Sequence, residues 1–281
     1  MTSGIRRTFA FASTILLLSL LFTLPRARSA GEPRLLYATA PPASGALTLL
    51  VAANLEAMRV RVVGSTSLRP FSAGLAFCPS EGENRQEVVA YTIVDFFDPT
   101  AQLAKLDLNT GEATLVGSPG QGLDILGIMG LTCSPEGTLY AIGQGDPTNP
   151  DFNSLYTVDR ETGVATLIGS TGVNDTASPR FGNGFLMALA FAPDGTLYGV
   201  SDGEIGKGST LYRVNRFTGL AAKVVDMKVD VVMGLAIDED GKFYVADWVP
   251  GSKIYTLDAG TGMTTSILET QLDYVHNIAF K

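Results

Sequence analysis

Apolar and polar residues alternate with a period of two in short runs along most of this chain, and turn residues interrupt the runs at recurring places. The clearest stretch spans Met187 to Gly219. It holds the runs Met187-Ala-Leu-Ala-Phe191, Leu197-Tyr-Gly-Val-Ser201 and Leu211-Tyr-Arg-Val214, with the turns Pro193-Asp-Gly-Thr196 and Asn215-Arg-Phe-Thr-Gly219 and one polar loop between them. Period-two alternation sends successive side chains to opposite faces of a sheet, so each run predicts a β-strand.

The same grammar recurs. An Asp/Asn-x-x-Thr-Gly turn appears at Asp107 to Gly111, Asp159 to Gly163, Asn215 to Gly219 and Asp258 to Gly262. The acidic or amide side chain bonds the turn backbone and the glycine accepts a left-handed conformation, which is the chemistry of a hairpin corner. A second turn family, at Pro135 to Thr138, Pro193 to Thr196 and Glu239 to Lys242, links an inner apolar run to an aromatic one. One repeat is therefore four strands, A to D, with tight A–B and C–D turns, which predicts an all-β chain built as a β-propeller.

Strand A begins near Ala73, Met129, Met187, Met233 and His276. The last copy has no B, C or D after it, while Leu35-Leu-Tyr-Ala38 and Leu50 to Ser65 supply an unpaired B, C and D at the other end. The expected architecture is a single five-bladed propeller over residues 31–281, closed by a split blade, with six blades as the alternative.

Composition adds a compartment and a charge. The first thirty residues carry Arg6 and Arg7, an apolar run from Phe9 to Leu24, and small residues in Ala27-Arg28-Ser29. That order predicts a signal peptide cut near Gly31, hence export to a periplasm or the extracellular space, with a retained anchor as the alternative. The net charge is −8, and the leader holds arginines but no acid, so the mature chain is more acidic still. An acidic surface argues against nucleic acid as a partner, and no apolar run in the mature chain predicts a membrane span.

One face of strand A carries the large residues of each blade and the other mainly Gly, Ala, Thr and Ser, so large is expected to meet small between neighbouring blades. His276, the only histidine, stands in the sequence slot of Met129, Met187 and Met233. Packing explains that slot; a thioether-and-imidazole ring there would suit copper.

The B–C and D–A connections are longer than the corners and emerge at one end of the blades, where binding groups on a rigid scaffold usually sit. Asp95, Asp202 and Asp247 fall at the ends of B strands, and Asp230 and Asp273 just before A strands, with Asn183 in a D–A loop. Carboxylates converging there would hold a hard cation such as calcium; Asx turns and solvated charge are the plainer uses. Cys78 and Cys133 come from corresponding strands of adjacent blades, one register position apart, and either face each other across the interface or point away. No nucleophile elbow and no phosphate-cradling glycine loop is present.

Gly234-Leu-Ala-Ile-Asp-Glu-Asp-Gly-Lys-Phe-Tyr-Val-Ala-Asp247, with Ile254-Tyr-Thr-Leu-Asp258 after it, resembles blades of NHL-repeat and SMP-30/gluconolactonase-like propellers, and the repeat as a whole resembles exported bacterial propellers. The resemblance implies the fold. The gluconolactonase-like enzymes would add a divalent metal at the channel mouth, held by Glu, Asn and Asp, but their metal motifs and their sixth blade have no match here; Asn183, Asp230 and Asp247 correspond by location alone. The reading that follows is a binding module, leaning away from an enzyme, that takes a small molecule, glycan or protein at Asn183, Asp202, Asp230, Asp247, Asp273 and His276. The alternative is a calcium-type hydrolase or lactonase with metal ligands among Asp95, Asp202, Asp230, Asp247 and Asp273, and His276 as base.

Overall fold

A computed structural model describes residues 34–40, 48–66, 72–80, 87–94, 101–117, 127–143, 153–173, 185–203 and 206–281. The leader, Asp95 and Asn183 lie outside the described residues. The strands are β1 (Leu35–Ala40), β2 (Leu49–Asn54), β3 (Arg59–Ser65), β4 (Ser72–Pro79), β5 (Val88–Val94), β6 (Gln102–Leu106), β7 (Ala113–Gly117), β8 (Ile128–Cys133), β9 (Leu139–Gly143) and β10 (Ser154–Val158). They continue as β11 (Ala165–Ser170), β12 (Leu186–Phe191), β13 (Leu197–Ser201), β14 (Ser209–Val214), β15 (Ala221–Met227), β16 (Val232–Ile237), β17 (Phe243–Asp247), β18 (Lys253–Leu257), β19 (Thr264–Glu269) and β20 (His276–Phe280).

They form five antiparallel four-stranded sheets, β20-β1-β2-β3, β4-β5-β6-β7, β8-β9-β10-β11, β12-β13-β14-β15 and β16-β17-β18-β19, taken here as blades I to V. Blade I is the split blade, its A strand contributed by β20. The inner strands touch in the cycle β20, β4, β8, β12, β16 and back to β20, which closes the ring. The chain is a five-bladed β-propeller, and the six-blade alternative falls away.

Neighbouring blades pack large against small. A Cβ on Gly234 would lie 3.1 Å from Ile278 of the next inner strand, and one on Gly130 would lie 2.8 Å from the Met187 carbonyl oxygen. The outer strands interlock through backbone alone: a Cβ on Gly117 of β7 would lie 2.0 Å from the Thr162 carbonyl oxygen in the next blade's C–D corner. Each outer strand also carries one extra residue against its partner, with register shifts in β3, β7, β11, β15 and β19.

A bulge sits in every inner strand too, and its position corrects the sequence alignment. In β8, β12 and β16 the unpaired residue is Met129, Met187 or Met233. In β20 it is Asn277, at φ 54, while His276 pairs with Thr39. His276 shares the methionines' sequence slot but not their place in the ladder, because the bulge falls one residue later; Gly74 of β4, at φ 73, marks the same late bulge.

Cys78 and Cys133 face each other and are bonded, with Cα atoms 5.3 Å apart, joining β4 to β8. The one-position register offset turns the two side chains toward a shared interface, which the sequence left open.

Candidate functional site

In a four-stranded antiparallel blade the B–C and D–A connections share one end. The inner end of that face is closed: Met129, Met187 and Met233 are at most 1% exposed. The Asn277 amide crosses the axis, donating to the Met129 carbonyl oxygen at 2.8 Å and lying 2.7 Å from His276 Nδ1. Burial alone lowers the His276 imidazole to about 4, so the ring is neutral at ordinary pH.

Around this plug the loops are stitched to the next blade in a repeating way. The residue opening strand C accepts the N–H at the start of the next inner strand: Leu186 N to Asn153 Oδ1 at 3.1 Å, Val232 N to Ser209 Oγ at 3.2 Å, and Val275 N to Ser252 Oγ at 3.0 Å. Threonines from the D–A segments donate to the same strand-C residues, Thr171 Oγ1 to Asn153 O and Thr270 Oγ1 to Ser252 O. Buried loop backbone is thereby satisfied without further sheet.

The predicted acids take part in this frame. Asp230 accepts the N–H groups of Gly206 at 2.9 Å and Gly208 at 2.8 Å, so a D–A loop holds the B–C loop of its own blade IV. Asp273 does the same in blade V, accepting Gly251 N at 2.8 Å. Asp247, almost fully buried, accepts Lys253 N at 2.7 Å and the Tyr255 hydroxyl at 2.9 Å. Burial pushes the Asp247 carboxyl up, against the lowering effect of those two donors. Burial also raises the Tyr255 hydroxyl, reinforced by its bond to Asp247. Asp202 is buried, its carbonyl oxygen accepting Ser209 Oγ at 3.0 Å and its N–H donating to Phe185 O. Among the described residues no three His, Cys, Asp or Glu side chains gather as a metal cluster.

Two features of this face were not singled out in the sequence. Trp248, the only tryptophan, has its ring 4.7 Å from that of Tyr274, pairing a B–C loop with a D–A loop. Asn153, Val231, Gln271, Tyr274 and Asn277 all hold positive φ here, Val231 at 51°, where a β-branched residue is a clear outlier. An aromatic before an inner strand is a faint sequence signal; left-handed φ at a valine leaves none.

The opposite end carries the corners. On the axis, apolar residues from every blade, from Leu75 and Phe77 round to Ile278 and Phe280, line a hollow of about 120 Å³. A groove of about 470 Å³ lies off the axis in blade IV, between its A–B and C–D corners.

No protein-family model matches the chain, and no curated protein matches it in sequence. Solved structures share its fold. A protein of unknown function from Bacteroides thetaiotaomicron superposes with a TM-score of 0.56 at 16% identity over 86% of this chain, which spans only 61% of that longer chain. A chain from a nidogen–laminin complex gives 0.53 at 12% identity, covering 89% of this chain and 98% of the other. A gluconolactonase from Xanthomonas campestris gives 0.50 at 14% identity, covering 88% and 79%. At such identities the likeness is one of fold: the chain is a β-propeller similar in architecture to the NHL-repeat and gluconolactonase-like propellers.

Proposed function

We propose that the protein is an exported binding module that takes its ligand on the B–C and D–A loop face. The observation that carries this reading is the concentration of left-handed, non-glycine backbone on that face, Val231 foremost, over a frame whose polar groups are already stitched. Strain of this kind costs on the order of 1–3 kcal/mol per residue and persists where a binding geometry uses it. Export is supported by the leader pattern and by the Cys78–Cys133 bond, which an oxidising compartment maintains. The nidogen chain, whose structure is of a complex with laminin, offers a precedent for a propeller of this kind engaging a protein.

Trp248 makes the test direct, because it is the only tryptophan and sits on that face. Its emission should shift on titration with a member of a panel of oligosaccharides and extracellular-matrix or cell-wall peptides. Calorimetric binding by members of the panel with no change in Trp248 emission in any case would count against this face.

The buried, upward-shifted Asp247 carboxyl favours a second reading, a calcium-dependent hydrolase or lactonase, since perturbed acids mark catalytic sites. Its candidate ligands are Asp202, Asp230, Asp247 and Asp273, with Asp95 and Asn183 outside the described residues; no three of the described acids gather, so calcium would have to draw them together. Saturating calcium should then raise the melting temperature relative to EDTA, by mass action on the native state. An unchanged melting curve removes it.

A further inference from the structure

The inner strand of blade I departs from the others at the axis. The late bulge of blades I and II holds a left-handed residue, Asn277 at φ 54 in one and Gly74 at φ 73 in the other. Glycine meets that requirement in blade II, so the fold asks there for a conformation and not for a side chain. Blade I places an amide at the position. Asn277 is 3% exposed and reaches across the ring to β8, where its Nδ2 donates to the Met129 carbonyl oxygen at 2.8 Å.

That contact fixes the protons around it. A carbonyl oxygen only accepts, so the Asn277 atom against Met129 O is the NH2 group. The same NH2 lies 2.7 Å from His276 Nδ1, which is therefore the acceptor, and the neutral ring carries its proton on Nε2. A proton on Nδ1 would set two donors head to head at that distance. The backbone is held separately, because the Thr39 hydroxyl donates to His276 O and β20 pairs with β1 on both sides of the bulge. Imidazole and amide are thus free to move without unzipping the strand.

No neighbouring charge offsets the conflict. The strands packed most closely on β20 are β1, β16, β4 and β17. Their titratable side chains are Tyr37 on β1 and Tyr244 and Asp247 on β17; β16 has none, and β4 and the amide's acceptor strand β8 carry only the bonded Cys78 and Cys133. Tyr244 donates to Asp238, and Asp247 accepts Lys253 N and the Tyr255 hydroxyl. On the segment leading into β20, Asp273 accepts Gly251 N. None of these groups contributes to the shift of the imidazole, which burial alone produces.

We propose that Asn277 and His276 form a proton-operated latch: a proton taken up at Nδ1 drives the Asn277 amide off the Met129 carbonyl oxygen and opens the plug between the loop face and the axial hollow. The latch stands whatever ligand the loop face takes. A released ring titrates at its ordinary 6.5 and the latched ring at about 4, so acid favours the open form increasingly between those values.

Methionine oxidation reads the plug, because peroxide oxidises a thioether only where it reaches the sulfur. Met129 is 1% exposed beside the latch, Met227 is 2% exposed on the outer strand β15, and Met263 is 71% exposed. The full protein is treated with hydrogen peroxide and each methionine is followed by mass spectrometry, with Met263 as the exposed reference. At pH 4.5 Met129 should oxidise roughly tenfold faster than at pH 7, and should outpace Met227 by a similar factor. Asn277→Gly, which keeps the left-handed backbone and lacks the amide, should expose Met129 already at pH 7. His276→Gln, which offers Asn277 an amide oxygen and takes up no proton, should keep Met129 protected at both pH values. As His276 is the only histidine, its ring nitrogens are read directly by 15N NMR, which should show Nδ1 bare at pH 7. A proton on Nδ1 at pH 7, equal oxidation of Met129 and Met227 at pH 4.5, an acid response that persists in His276→Gln, or an Asn277→Gly variant as protected as the parent overturns the proposal. Should circular dichroism show His276→Gln unfolded, Asn277→Gly and the ring spectrum decide.

Discussion

Arg34, just ahead of β1, closes the ring by setting its guanidinium against Asp238, in the A–B corner of blade V. The same guanidinium reaches Asp240 at 2.9 Å and Glu239 at 3.4 Å. Asp238 is buried and also accepts the Tyr244 hydroxyl at 3.0 Å and the N–H groups of Asp240 and Lys242. Removing Arg34 leaves a buried carboxylate without its cation. Arg34→Ala should therefore cost about 2 kcal/mol in urea unfolding. Glu239→Ala, which loses only an exposed partner, should cost less than about 0.5 kcal/mol.

The Cys78–Cys133 bond spans 55 residues and ties two adjacent inner strands, where blades II and III meet. Reduction, or replacement of both cysteines by alanine, should lower stability by roughly 2–4 kcal/mol, read as a shifted urea midpoint. Equal midpoints for the oxidised and reduced protein would show that the bond is absent in solution.

His276 gives the stability a definite pH dependence. Its folded value, about 4, lies below the ordinary 6.5, so the unfolded chain binds the proton more readily. Stability from the neutral ring is fully present above pH 6.5 and is lost as pH falls toward 4. The loss amounts to roughly 3 kcal/mol at one pKa unit per 1.4 kcal/mol. His276→Asn, which retains an acceptor for Asn277, should flatten that part of the melting-temperature profile. An unchanged slope would place the proton elsewhere.

Asp230 holds a loop from outside it. Asp230→Ala should speed amide exchange at Gly206 and Gly208 while leaving β12 to β14 protected, at a global cost of about 1 kcal/mol. Asp273→Ala should do the same at Gly251 in blade V. If a ligand rests on this face, both variants should weaken its binding.

The blades were legible in the sequence because corners and strands each leave a local signature. Asp159 to Gly163 announces a hairpin in five residues, and Leu35-Leu-Tyr-Ala38 matches strand B closely enough to pair with a strand more than two hundred residues away. Even the split blade's corner, without its Thr-Gly, keeps the Asn54 bonds and turns at Met58 with φ 50. What stayed hidden depends on backbone detail that residue type leaves undetermined. The late bulge in β20 moved His276 off the methionine positions, and the facing of Cys78 and Cys133 rests on inter-blade geometry. Asp230, Asp247 and Asp273 read equally well as metal ligands or loop anchors, since both uses ask for oxygen near a glycine-rich loop. Arg34 carried no motif at all.

The extra residue in each of β3, β7, β11, β15 and β19 bears on how the molecule meets others. A bulged edge interrupts the regular ladder an incoming strand needs, which disfavours both fibril growth and the outward extension of a blade by a partner's β-strand. Side chains on the rim, Val62, Leu115, Leu167 and Val224 among them, stay exposed, so what the bulges remove is the route by strand addition and not contact through side chains.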